Sequence, residues 1–210
     1  MPGPHCYEYP RPAVTVDLVA FRVRDGALET LLIKRKHDPF AGRWAIPGGF
    51  LDMDETAEAG ARREFREETT LEPPAKLTFV GAFDAPDRDP RGRTISLAHL
   101  GLLPPGTPVP AGADDAAEAA WLEVETLESN DLAFDHPAIL EAARFRLTAL
   151  LKEDDRRPLE LLDRTFDPEA VRAVFLAVAG HARRAAPWLK SAEIQGFLAP
   201  TKGGRFRRRI

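Results

Sequence analysis

The stretch GGFLDMDETAEAGARREFREETTL, Gly48–Leu71, decides how the rest of the chain is read. Its apolar spacing predicts one helix over Thr56–Thr69, with Thr56 as N-cap and Glu58 near the positive end of the helix dipole. At about 100° per residue, Ala57, Ala61 and Phe65 fall on one stripe, the predicted buried side, while Arg62 and Arg66 point away from it. Glu64, Glu67 and Glu68 stand at i, i+3 and i+4 and share an arc of roughly 100° beside that stripe. Arg63 is placed to pair with Glu67 or with Glu55. Like charges at this spacing cost a few tenths of a kcal/mol each. Two explanations compete: a solvated face whose arginines compensate the acids, or a cage for a hard divalent cation, which prefers carboxylate oxygens.

Outward from this helix, the 210 residues have room for one ordinary domain and a small second one. With 44% hydrophobic and 30% charged residues the composition is that of a soluble globular protein, not a disordered one. Cys6 is the only cysteine, so no intrachain disulfide can form and a reducing compartment is expected. The N-terminus MPGPHCYEYPRP lacks the apolar core of a signal peptide, and the longest apolar run, AVFLAVA at 173–179, is too short to cross a bilayer. A cytoplasmic protein with no membrane partner is the expectation. Charge divides unevenly: 16 Lys/Arg against 25 Asp/Glu over residues 1–150, a net of −9, and 13 against 8 over 151–210, a net of +5. An acidic body and a basic end suggest different partners.

The pattern from Ala13 reads as two strands around a turn at Asp25-Gly26, a pair that tolerates positive φ. GRWAIPGGF is a strand edge closing in a tight turn. Further strands are expected at Leu77–Phe83, Thr94–Leu103 and Ala119–Val124, and a helix over HPAILEAARFRLTALLKE. EDDRRP, Glu153–Pro158, reads as a linker. Beyond it come LELLDRT, DPEAVRAVFLAVAG and APWLKSAEIQGFL as short helices, the second with Asp167 as N-cap, Pro168 at its first position and Gly180 as its stop. APTKGGRFRRRI closes the chain as two segments around Gly203-Gly204. Three helices and a basic hairpin outline a winged helix-turn-helix. The expected divisions are an arm at 1–12, a first domain at 13–152, a linker at 153–158 and a second domain at 159–210.

From Gly49 the chain shows Gly, five residues, Glu55, seven residues, Arg63-Glu64-Phe65-Arg66-Glu67-Glu68, then Thr69-Thr70-Leu71. This resembles the box of the Nudix hydrolase superfamily, Gly-x5-Glu-x7-Arg-Glu-U-x-Glu-Glu-x-Gly-U with U apolar. Every specified position matches except the last glycine, where Thr70 stands. Meeting the charged and glycine positions by chance is on the order of one in ten thousand. The resemblance implies an α/β/α sandwich with a mixed sheet, Glu64, Glu67 and Glu68 as carboxylates for Mg²⁺ or Mn²⁺, and the Gly48 carbonyl as a further ligand. It makes Arg63 and Glu55 the pair that orients the helix, beside Gly49. The implied reaction is hydrolysis of a nucleoside diphosphate linked to another moiety, so a nucleotide sugar or a dinucleotide is the expected substrate. At Thr70 a β-branched residue in the left-handed region would be strained by about 1–2 kcal/mol, unless the helix ends differently. Gly60 in mid-helix costs about 1 kcal/mol relative to alanine. Neither removes a carboxylate, so altered stability or metal positioning is expected there, not lost chemistry.

TVDLVAF, GRWAIPGGF, DRDPRGR and LAFDHPAIL together look like the ADP-ribose pyrophosphatase branch of that superfamily and its relatives, the Nudix-related regulators of NAD metabolism. This implies cleavage of ADP-ribose to AMP and ribose 5-phosphate, and, as is common in the branch, a homodimer. Arg88, Arg91 and Arg93 lie in a charged loop that is either a solvated turn or a source of planar donors to phosphate. A general base is sought in GADDAAEAAW, where Glu118, Asp114 and Asp115 are the candidates and Glu118 is preferred. His136 is expected to cap its helix or to pack, and Trp44 and Trp121 to line core or pocket. Residues 159–210 are similar in element order to the regulators' winged-helix domain, which implies DNA as a partner through Lys202 and RFRRRI. The expected reading helix carries Lys190, Gln195 and an unfavourable Glu193, thin material for base readout. All box carboxylates stand, whereas such regulators often have eroded boxes. Hydrolase therefore ranks first, and an ADP-ribose-sensing DNA-binding regulator second.

Overall fold

Strand alternation organises the molecule. In β1 (Ala13–Arg24), Val16, Leu18 and Ala20 turn to one side of the sheet, while Val19, Phe21 and Val23 turn to the other. The first set packs with Leu31, Trp121 and, on α1 (Ala57–Thr69), Ala61 and Phe65. The second packs with Leu32 and, on α2 (His136–Lys152), Ile139, Ala143 and Leu147. A sheet apolar on both faces, covered by a helix on each, is an α/β/α sandwich. The computed structural model describes residues 8–110, 116–153 and 155–209, with no side-chain description at 116–117.

The sheet runs in the order β3 (Trp44–Ala45), β2 (Ala27–Arg35), β1, β6 (Thr94–Leu102), β5 (Leu77–Phe83), with β4 (Gly48–Phe50) added to β1 and β7 (Ala116–Glu123) to β2. Among the described strands, β1 and β6 pair in parallel and the other pairs are antiparallel, so the sheet is mixed. The β1–β2 turn has φ 51° at Asp25 and 84° at Gly26, the two positive φ values of the tight turn that matches strand twist. The predicted helix forms at Ala57–Thr69, and the Thr56 side chain accepts the N–H of Ala59. Its covered face is Gly60, Ala61, Phe65 and Thr69, with Ala57 only half-buried.

Beyond α2 the chain forms a winged-helix-like unit: a 3-10 turn at Arg157–Leu161, β8 (Thr165–Phe166), α3 (Pro168–Ala179), α4 (Ala185–Ile194), β9 (Leu198–Pro200) and β10 (Phe206–Arg208). The Asp167 carboxylate accepts the N–H of Ala170 at 2.9 Å, and Gly180 stops α3 at φ 70°. The sequence outline lacked β8, which is too short to show a period; it pairs Phe166 with Phe206 and makes a three-stranded sheet, β8-β10-β9. One apolar cluster runs unbroken from Val19 and Leu28 through Leu147, Leu150 and Leu151 to Val174, Phe175 and Trp188. Among the described residues no helix is long and apolar enough to cross a membrane.

Candidate functional site

The Pro47-Gly48-Gly49 turn brings β4 against α1. Gly48 is required by close approach, since a Cβ on it would lie 2.2 Å from the Val16 carbonyl oxygen; a Cβ on Gly49 would lie 2.5 Å from the Glu64 carboxylate and displace it. Gly48 N–H donates to Glu68 Oε2 at 2.9 Å. Arg63 staples the helix to the loop before it. Its Nη2 donates to Glu55 Oε1 at 2.6 Å and to the Phe50 carbonyl at 3.2 Å, and its Nε donates to Glu55 Oε2 at 3.1 Å. Its Nη1 reaches Glu64 Oε1 at 2.8 Å and Glu67 Oε2 at 3.1 Å. Glu55 also accepts the N–H of Asp52, and these bonds hold its carboxyl below the usual range. Gly60 has its own reason to be glycine. A Cβ there would lie 2.8 Å from Glu55 Oε1 and 2.9 Å from Leu51 Cδ1, so those two side chains would have to give way to it.

These elements line a cleft of about 380 Å³ between the sheet edge, α1 and the start of α2. Glu64 and Glu68 face it; Glu67 does not, its side chain being 59% exposed and turned onto Arg63. The three glutamates expected to act together are thus divided, two in the cleft and one at its outer edge. Burial pushes the Glu68 carboxyl up to about 8, reinforced by the charges of Glu64 and Asp17 and opposed by the Gly48 N–H and Arg35. Burial also raises Glu64, with Glu67 and Glu55 adding repulsion against the pull of Arg63.

Among the described residues no three His, Cys, Asp or Glu side chains already converge closely enough to hold a metal ion. Yet the donor set fits one. Two carboxylates forced together out of water resist ionisation until a cation arrives, and Mg²⁺ keeps several waters and needs only one or two carboxylates besides substrate phosphate.

The lining also carries arginines. Arg88 is buried and grips Asp135 with Nε at 2.9 Å and Nη2 at 2.7 Å. Arg91 grips Asp89, with its guanidinium 5.5 Å from the Phe50 ring centre and 5.6 Å from that of Phe134. Arg93 is absent from the lining: its Nη1 donates to the carbonyls of Asp84 and Ala85 and shapes the loop. Glu118 also lies off the cleft, on β7 opposite Lys34, whose Nζ is 3.5 Å away. Asp114 and Asp115 lie outside the described residues. Trp121 packs in the core and donates to the Pro108 carbonyl, and Trp44 lies half-buried beneath Lys34.

Three lining residues escaped the sequence reading as site residues. Asp17 is a buried acid inside an apolar strand, a signal that was available. His136, expected to cap or pack, is buried in the cleft floor. Arg35 lies 4.8 Å from the Phe134 ring centre and donates to the Pro39 carbonyl at 2.8 Å; burial, and then the charge of Arg91, lower its pKa. Nothing in its local sequence distinguishes it from Lys34 and Lys36 beside it.

Residues 11–143 match the family model for the NUDIX domain. An ADP-ribose pyrophosphatase of Methanocaldococcus jannaschii is 44% identical over 133 residues, 63% of this chain and 73% of that protein. The ADPR responsive transcriptional repressor NtrR of Acinetobacter baylyi is 31% identical over 176 residues, 83% of this chain and 69% of that one. The crystal structure of Shewanella oneidensis NrtR complexed with a 27mer DNA superposes with a TM-score of 0.74 at 25% identity, covering 93% of this chain and 91% of that one.

Proposed function

The chain belongs to the NUDIX family, and from that premise we propose that it hydrolyses a nucleoside diphosphate joined to a second moiety, with ADP-ribose and water giving AMP and ribose 5-phosphate. The observation that carries this is the pair Glu64 and Glu68, partly withdrawn from water in a cleft whose lining also presents Arg88 and Arg91. NUDIX hydrolases generally use divalent metals; here Glu64, Glu68 and the Gly48 carbonyl would hold Mg²⁺ or Mn²⁺, with Glu67 joining only by leaving Arg63. The metal would supply positive charge to the phosphate oxygens and acidify a bound water. The protein's own share is orientation. Arg63 fixes α1 to the loop through Glu55, and the Gly48 N–H holds one oxygen of Glu68 so that the other faces the cleft. Arg88 and Arg91, preset by Asp135 and Asp89, offer donors to phosphate in the same cleft as the carboxylates. Glu118 serves as proton acceptor only if it leaves Lys34 and swings towards the cleft.

The test is release of AMP from ADP-ribose by the purified protein with Mg²⁺ or Mn²⁺, across a panel that includes nucleotide sugars and dinucleotides. A panel left intact removes the hydrolase reading. A second reading, regulation through DNA, is favoured by the exposed basic residues on the C-terminal unit: Arg183, Arg184 and Lys190 at α4 and Arg207 on β10. It assigns residues 159–210 to phosphate contact, joined by 153–158 to a nucleotide-binding domain at 13–152. Not all the basic tail is available: Arg208 is drawn inward to Glu160 at 2.7 Å and to the Leu159 carbonyl. A mobility shift on the protein's own upstream DNA, with and without ADP-ribose, checks this reading, and no shift at low salt removes it.

A further inference from the structure

His136 and Asp17 sit in the cleft floor, yet neither enters the scheme above. His136 opens α2, and its Nδ1 accepts the backbone N–H of Ile46 at 2.9 Å. A neutral imidazole that accepts at Nδ1 carries its proton on Nε2. That nitrogen lies 3.7 Å from Asp17 Oδ1. Burial keeps the ring neutral by lowering its pKa, against the pull of Asp17 and Asp135 and with the help of Arg88 and Arg35. Asp17 is fixed in turn. Its other oxygen accepts from the Ser96 hydroxyl on β6, and its main chain pairs with Gly48. The Nδ1 lone pair is engaged by Ile46 and Nε2 already carries a proton, so the ring is not arranged to take a proton from water in the cleft.

What the ring does hold is the turn. Ile46 stands two residues before Gly48, whose N–H binds Glu68. On the strand side the turn is fixed by the Leu18 N–H to the Pro47 carbonyl at 2.9 Å. On the helix side its anchor is the Nδ1 of His136.

We propose that His136, facing the Asp17 carboxylate across 3.7 Å, is a positioning residue whose Nδ1 fixes the Ile46–Gly49 turn, so that the Gly48 N–H sets Glu68 in its cation-binding pose. The consequence for metal rests on the hydrolase reading; the fixing of the turn does not. The experiment compares His136→Asn with His136→Gln in the full chain. The asparagine oxygen falls where Nδ1 was, and the glutamine oxygen where Nε2 was. Mn²⁺ affinity is read by electron paramagnetic resonance, and exchange of the Ile46 and Gly48 amides by NMR. Partners that orient a ligand are typically worth about 10–100-fold in metal affinity, so His136→Gln should lose about that much and His136→Asn no more than about threefold. The same amides should exchange faster in His136→Gln alone. Equal affinities and equal exchange in the two variants would overturn the proposal, as would a loss in His136→Asn matching that in His136→Gln. If neither variant folds, Ser96→Ala replaces them, because it releases Asp17 alone. A smaller loss in the same direction is then expected, and no loss overturns the proposal. Wild-type protein that binds Mn²⁺ but leaves ADP-ribose intact would sink the hydrolase reading, while amide exchange still judges the role of His136.

Discussion

The floor of the cleft and the interior of the C-terminal unit both withdraw side chains from water, and they are filled by opposite chemistry. The cleft floor buries Asp17 and His136 and partly buries Glu68, groups whose desolvation is unfavourable. The C-terminal interior buries Val171, Val174, Phe175 and Trp188, with Phe175 edge-on to Trp188 at 5.9 Å. The second arrangement contributes to folding and asks nothing further. The first opposes folding, and a cation held by Glu64 and Glu68 as proposed would offset part of that cost. Stability and function are therefore drawn from different parts of the same molecule.

Paired substitutions test that separation most severely. Glu68→Gln should cut hydrolysis by about 100-fold or more, since losing about 3 kcal/mol of charge stabilisation in the transition state has that effect. Its melting temperature should not fall, because a carboxyl with a pKa near 8 is already largely protonated at neutral pH. Phe175→Ala should do the reverse, costing about 3–5 kcal/mol of stability in denaturant titrations, with hydrolysis per folded molecule preserved. If Glu68→Gln destabilises as much as Phe175→Ala, the two regions do not differ in kind.

Gly60→Ala sharpens the comparison at the cleft's edge. Helix propensity alone predicts a gain of about 1 kcal/mol. The contacts at 2.8 Å to Glu55 and 2.9 Å to Leu51 predict instead a loss of about 1–3 kcal/mol, with weaker metal binding because Glu55 no longer holds Arg63 in place. A stabilised Gly60→Ala would mean that the loop yields. Thr70→Gly acts at the other end of the same helix. Thr70 closes it at φ 60° and ψ 7°, donating its N–H to the Arg66 carbonyl. A glycine there relieves about 1 kcal/mol of strain, and thermal unfolding should shift upward accordingly.

The smallest expected effect concerns His99, which packs edge-on to Phe79 at 5.6 Å and whose pKa burial lowers. A histidine lowered in the folded state contributes stability that is full above its unfolded pKa of about 6.5 and is lost as pH falls through the folded value. Melting temperatures measured from pH 7 to pH 5 should therefore fall less steeply in His99→Phe than in wild type. Identical slopes would show that His99 titrates freely.

Much of this molecule is legible in its sequence. The spacing of Ala61 and Phe65 placed α1 correctly, Asp25-Gly26 located its turn, and Asp167 and Gly180 marked the two ends of α3. These are local signals, carried within one turn or one helix. The division of the glutamates was not legible: residues at i and i+3 share a helix face, but which one meets the cleft depends on where Arg63 reaches. Arg93 escaped for the same reason. It has the composition of a phosphate ligand, yet carbonyls of its own loop, at Asp84 and Ala85, claim it. Glu118 lies in register with Lys34 on a neighbouring strand, a pairing that no spacing along the chain reveals. Asp17, by contrast, was readable as an acid inside an apolar strand, but its partners Ser96 and His136 lie 79 and 119 positions further along the sequence.

The unbroken apolar cluster beneath α2 bears on any attempt to dissect the protein. A chain severed after Lys152 would take Val174, Phe175 and Trp188 out of the apolar cluster they share with Leu147, Leu150 and Leu151, baring part of it. A fragment with that oily flank would stick to its own copies. Keeping it monomeric would require repainting the flank with polar side chains.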